Sequence, residues 1–111
     1  MILIIGGAYQ GKLNYARNQL NIHNEGDIVN GYHNTVLSQL QNGIDPLQYA
    51  RDNVGYMRNK IIISDDIFCG VVPVDPEERK WREELGRVLS YLSSEADEVY
   101  RVFCGLGTRL K

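Results

Sequence analysis

Residues 4–15 read IIGGAYQGKLNY. Gly6, Gly11 and Lys12 keep the spacing of the phosphate loop G-x-x-x-x-G-K-[ST], and Leu13 stands where that pattern has Ser or Thr. What lies on either side gives the spacing its meaning. Residues 2–5 are all apolar and run into two glycines, the pattern of a short strand buried within a parallel sheet. Residues 11–22 then carry Leu13, Tyr15, Ala16 and Leu20 at helical spacing, which predicts a helix. A loop between a buried strand and a helix start turns its backbone N–H groups toward phosphate oxygens, and a Lys there reaches the outer phosphates. Glycines at 6, 7 and 11 free the backbone for that curve. The candidate phosphate-binding residues are therefore Gly6, Gly7, Ala8, Tyr9, Gln10, Gly11, Lys12 and Leu13. Leucine packs but coordinates nothing. The hydroxyl that joins an Mg²⁺ shell is missing, and phosphate binding is better supported than phosphoryl transfer. A glycine turn between strand and helix also occurs without any ligand, so the spacing alone leaves both readings open.

Beyond the helix, NIHNEGD (residues 21–27) is a polar turn, and residues 27–30 predict a short strand. Residues 32–41 place Val36, Leu37 and Leu40 on one helical face, with Gly43 as a stop. A further helix over residues 46–57 begins on Pro46, whose missing N–H costs nothing in a first turn. KIIISDD (residues 60–66) is a second buried strand with Asp65 and Asp66 at its carboxyl end, the end where ligands gather in parallel α/β sheets. Either carboxylate suits Mg²⁺ held through water, or the orientation of a nucleophile. Capping a turn is the equally common alternative. Lys12 and Asp66 are the candidate catalytic pair, and Asp65 and Asp66 the candidate metal ligands. Asp75 (cap), Pro76, Glu77 and Glu78 open a helix that runs to about residue 95. The tail, DEVYRVFCGLGTRLK, predicts strand, turn and strand around Gly105 and Gly107. Alternating strands and helices predict one α/β domain over residues 1–111. It would be a three-layer, P-loop NTPase-like domain with a mostly parallel sheet and a short C-terminal hairpin.

With 111 residues, 43% hydrophobic and 23% charged, the chain has an ordinary globular composition, and a net charge of −2 gives no footprint for nucleic acid or an acidic membrane. No apolar run approaches the roughly 18 to 20 residues of a membrane helix, and the apolar start lacks a basic flank; the expected location is the cytoplasm. Cys69 and Cys104 are isolated in apolar stretches and read as small buried thiols. His23 and His33 lie in polar surroundings and read as surface residues. Trp81 sits on the apolar stripe of the last helix, as core or as a subunit contact.

Residues 61–111 resemble the bifunctional adenosylcobinamide kinase / adenosylcobinamide-phosphate guanylyltransferase family of cobalamin biosynthesis. Gly70, Val72 and Pro73 match its Gly-x-Val-Pro turn, and Arg79, Trp81, Arg82 and Glu83 its helix start. Gly86 and Arg87 match a Gly-Arg pair, and Ala96, Asp97, Glu98 and Val99 its Ala-Asp-Glu-Val signature. Asp66 takes the place of a family glutamate, and Gly6 and Gly7 match the paired glycines that open the family's loop. The resemblance implies binding of GTP or ATP, a cobinamide-like acceptor, Mg²⁺ weakened by Leu13, and a homo-oligomer, typically a trimer. It adds Arg79, Arg82 and Arg87 as candidate phosphate contacts. The chain is shorter than family members between its first helix and KIIIS. Neither His23 nor His33 has the Arg-Ile-x-x-His setting of the histidine that becomes guanylylated. The implied function is purine-nucleotide binding with guanylyl transfer lost. Two forms of it stay open: a nucleotide-dependent kinase with a degraded loop, and a non-catalytic nucleotide sensor or assembly partner.

Overall fold

The computed structural model describes residues 1–66 and 75–111. The expected buried thiol Cys69 and the Gly70, Val72, Pro73 turn lie outside the described residues. Five strands form one sheet in the order β2-β3-β1-β4-β5. The strands are β1 (Ile2–Gly6), β2 (Ile28–Asn30), β3 (Ile61–Asp65), β4 (Glu98–Phe103) and β5 (Leu106–Arg109). Pairing is parallel from β2 through β3 and β1 to β4, and antiparallel only between β4 and β5. This is the expected three-layer α/β domain with a C-terminal hairpin.

The central strands are apolar at successive positions because both faces are covered. On one face Leu3, Ile62 and Val99 pack against α2 (Tyr32–Gln41), α3 (Pro46–Met57) and α4 (Pro76–Glu95). On the other, Ile4, Ile61, Ile63, Tyr100 and Val102 meet Ala16 of α1 (Lys12–Asn18), with Leu13 and Tyr15 against the same cluster. Helix starts follow the sequence. The Asp45 carboxylate accepts the N–H groups of Leu47 and Gln48 below Pro46, and that of Asp75 accepts the Glu77 N–H beside Pro76.

Two expectations need correction. The first helix ends at Asn18, not near residue 22. Asn21 takes a left-handed φ of 55°, which a short amide side chain tolerates, and breaks the helical path. Leu20 still packs on the second cluster, as does Ile22, so the apolar signal of Leu20 was real although its helical spacing was not. Cys104 is exposed, not buried. It forms the hairpin turn with Gly105 (φ 51° and 76°), between the paired residues Phe103 and Leu106. Positive φ at both positions is the type I′ form of a two-residue hairpin loop, and it leaves the Cys104 side chain in solvent.

β1 is the strand that places the loop. It pairs with β3 on one side and β4 on the other, and its last residue, Gly6, lies opposite Asp65. A Cβ on Gly6 would sit 2.4 Å from the Val102 carbonyl oxygen, a backbone atom fixed in β4, whereas one on Gly7 would meet only Gln10 Cγ at 3.6 Å. Gly6→Ala should therefore lower stability by about 1–3 kcal/mol, the usual cost of overpacking. Gly7→Ala should cost less than about 1 kcal/mol. Urea denaturation of the two variants checks the order, and equal losses would contradict it.

Candidate phosphate site

Where β1 ends, the chain turns through residues 7–11 and enters α1 at Lys12. Gly11 caps the helix with φ 86°, and Tyr9 stands fully exposed at φ 61°. Gln10 ties this loop to the hairpin: its backbone oxygen accepts the Gly105 N–H at 2.8 Å, and its side-chain oxygen accepts the Cys104 N–H at 2.7 Å. The loop is thus supported by β1 beneath and by the β4–β5 turn beside it. Ala8, Tyr9, Gln10, Gly11, Lys12, Leu13, Asn14, Asn30 and Asp65 line an open cavity of about 490 Å³.

Lys12 is buried, and its ammonium lies back on its own loop. Nζ donates to the Gly7 carbonyl at 2.6 Å and pairs with Asp65 Oδ1 at 2.7 Å. The parallel register Gly6↔Asp65 brings these groups together. Side chains alternate along a strand, so the next carboxylate points elsewhere. Asp66 is buried, donates its N–H to the Gly6 oxygen, and has its carboxylate 3.6 Å from Arg101 of β4. Of the two acids, Asp65 faces the cavity and Lys12.

His33 is not the surface residue the sequence suggested. It stands in the first turn of α2 with only 14% of its side chain exposed. Its Nδ1 accepts the Asp65 backbone N–H at 3.1 Å, which assigns the ring proton to Nε2, and Nε2 lies 3.4 Å from Asp65 Oδ2. The ring stacks on Trp81 with centroids 6.3 Å apart, and the Trp81 indole N–H donates to the His33 carbonyl at 2.7 Å. Trp81 is therefore partly buried on the first cluster, as core. Burial lowers the His33 pKa below its ordinary value; Asp65 opposes that shift and Lys12 adds to it.

The chain matches the family described as cobinamide kinase / cobinamide phosphate guanyltransferase over residues 31–110. It belongs to that family. It is also 33% identical over 51 residues to the bifunctional adenosylcobalamin biosynthesis protein CobU of Salmonella typhimurium. That match spans 46% of this chain and 28% of the relative. The match to the family begins at residue 31, after the loop, and includes α2 with His33, β3 with Asp65, and α4.

The structure brings together Lys12, Leu13, Asp65 and the loop residues from position 8 onward at one cavity. Arg87 is not part of this group. It pairs with Glu84 at 2.9 Å in the middle of α4 and lines grooves beside α3. Arg79 and Arg82 lie in the first two turns of α4, flanking Trp81. Among the described residues, no three His, Cys, Asp or Glu side chains gather as a metal site. Sequence reasoning missed His33, Asn14, Asn30 and Arg101. Only the position of His33 near the start of a helix hinted at its role.

Because the folded His33 ring binds its proton less readily than the unfolded one, lowering the pH through the ordinary histidine range costs stability. The urea midpoint should therefore fall between pH 7.5 and pH 5.5, and His33→Asn should reduce that fall. An unchanged pH slope in the variant would contradict this role for His33.

Proposed function

We propose that this member of the cobinamide kinase / guanyltransferase family binds a purine nucleoside triphosphate, GTP or ATP, in the cavity at the end of β1. The buried Lys12 ammonium carries this reading. It is a cation held by a loop carbonyl and one carboxylate, at the carboxyl edge of a parallel sheet. An incoming phosphate offers Lys12 stronger, charge-assisted partners than a carbonyl does. Gly6, Gly7, Ala8, Tyr9, Gln10 and Gly11 would shape the cradle. Asp65 is the carboxylate to meet Mg²⁺ arriving with the phosphates, which suits an ion that keeps most of its water and takes one or two carboxylates. The ion would neutralise charge on the outer phosphates. Asp66, held near Arg101, is the less suitable of the two acids.

By family, the acceptor would be a cobinamide-like molecule and the reaction phosphoryl transfer, in a homo-oligomer, by resemblance a trimer. Guanylyl transfer is proposed to be lost. It needs a nucleophilic histidine, and His33 is engaged through both ring nitrogens with Asp65. A second reading, a non-catalytic nucleotide sensor or assembly partner, is favoured by one observation. Leu13 packs against the second cluster where a metal-binding hydroxyl would stand. Product analysis with a cobinamide acceptor separates the two.

Lys12→Ala should weaken triphosphate binding by at least about 1.5 kcal/mol, roughly tenfold, the lower end for a charge-assisted contact. Titration of fluorescent GTP and ATP into both proteins checks this. Superimposable curves would remove the phosphate-site reading.

A further inference from the structure

Two residues far apart in sequence, Lys12 and His33, converge on the Asp65 carboxylate. Asp65 Oδ1 lies 2.7 Å from Lys12 Nζ, and Oδ2 lies 3.4 Å from His33 Nε2. The Asp65 N–H is accepted by His33 Nδ1 at 3.1 Å. One imidazole therefore contacts both the backbone and the side chain of the same residue, and so restricts the rotation of that side chain about its own strand end. The ring is fixed in turn by Trp81, through stacking and through the bond from its indole N–H to the His33 carbonyl. The lysine that would meet a phosphate is already occupied, and the residue occupying it is clamped.

We propose that His33 is a positioning residue of this site: it holds Asp65 against Lys12, so that Asp65 competes with a phosphate for the ammonium. The proposal rests on the phosphate-site reading above and adds a latch to it. Asp65 and phosphate compete for one cation: Gly7 and Asp65 each take one of the ammonium's three donors, and a phosphate that approaches the third meets the like charge of the carboxylate. With His33 in place, Asp65 loses little conformational freedom on pairing, which favours the latched state. Without it, Asp65 regains rotation about its own side chain, and pairing with Lys12 then costs that freedom. Trp81 acts one step further out, by keeping the imidazole in register.

The test measures Lys12 in the protein without ligand, so it does not depend on nucleotide binding. Amine acetylation by N-hydroxysuccinimidyl acetate is followed at Lys12 by mass spectrometry, beside thermal melts. Wild type, His33→Ala, His33→Asn, Asp65→Asn and the His33→Ala/Asp65→Asn double variant are compared. His33→Asn retains an acceptor for the Asp65 N–H and removes the Nε2 contact, so it opens the latch with less disturbance of the fold. The Lys12 labelling rate should rise about threefold in the His33 variants, and at least as much in Asp65→Asn. The double variant should match Asp65→Asn alone. In parallel, tripolyphosphate without Mg²⁺ should bind about threefold more tightly to His33→Asn than to wild type. A purely structural role predicts the opposite: weaker binding, with the His33 effect persisting in the Asp65→Asn background. Unchanged Lys12 labelling in folded His33→Asn, or an equal His33 effect in both backgrounds, overturns the latch. Increased labelling with no tripolyphosphate binding in any variant upholds the latch and removes the phosphate-site reading instead.

Discussion

The register that sets Gly6 opposite Asp65 is the constraint on which the rest of the site depends. β1 is hydrogen-bonded along both edges, to β3 and to β4, and its residues are buried on both faces. With both faces apolar, alternation does not choose the register; Gly6, the residue without a side chain, marks it by its close approach to the Val102 carbonyl. That register has two consequences at the strand end. The loop leaves the sheet beside the Val102 carbonyl, where only glycine fits, and Lys12 lands next to the carboxylate of β3.

The Lys12–Asp65 pair is a weak reason for the fold to be stable. Removing an ammonium and a carboxylate from water costs several kcal/mol, and their attraction returns that only in part. A leucine or methionine at position 12 would bury more comfortably. A buried lysine kept in a glycine loop is better explained as a group held ready for an anion. The stability of the domain comes from Leu3, Ile62, Leu85, Val88 and Leu92 on one face and Ile4, Ile63 and Val102 on the other.

Local signals made much of this legible. The apolar runs at residues 2–5 and 61–63 gave the central strands, while Asp45-Pro46 and Asp75-Pro76 gave two helix starts, because caps and buried strands depend on neighbouring residues. The candidate phosphate loop was visible as glycine spacing between such elements. What remained hidden depends on pairing between distant segments. Asp65 and Asp66 look alike in sequence, and only the direction of each along β3 separates the one facing Lys12 from the one facing Arg101. His33 reaches Asp65 because β2 lies beside β3 and delivers the start of α2 to the strand end. Polar neighbours in sequence say nothing about that. Cys104 misled for the converse reason: its apolar neighbours belong to a hairpin that turns into solvent.

The central claim is a location: phosphates bind in the loop after β1. Backbone amide shifts followed by NMR during titration with a non-hydrolysable GTP analogue test it most directly. The account predicts that the largest changes fall on residues 6–13, on Asn30 and Asp65, and on Cys104 and Gly105 through their bonds to Gln10. Saturating changes confined to α4 around Arg87, with the loop amides unmoved, would contradict it.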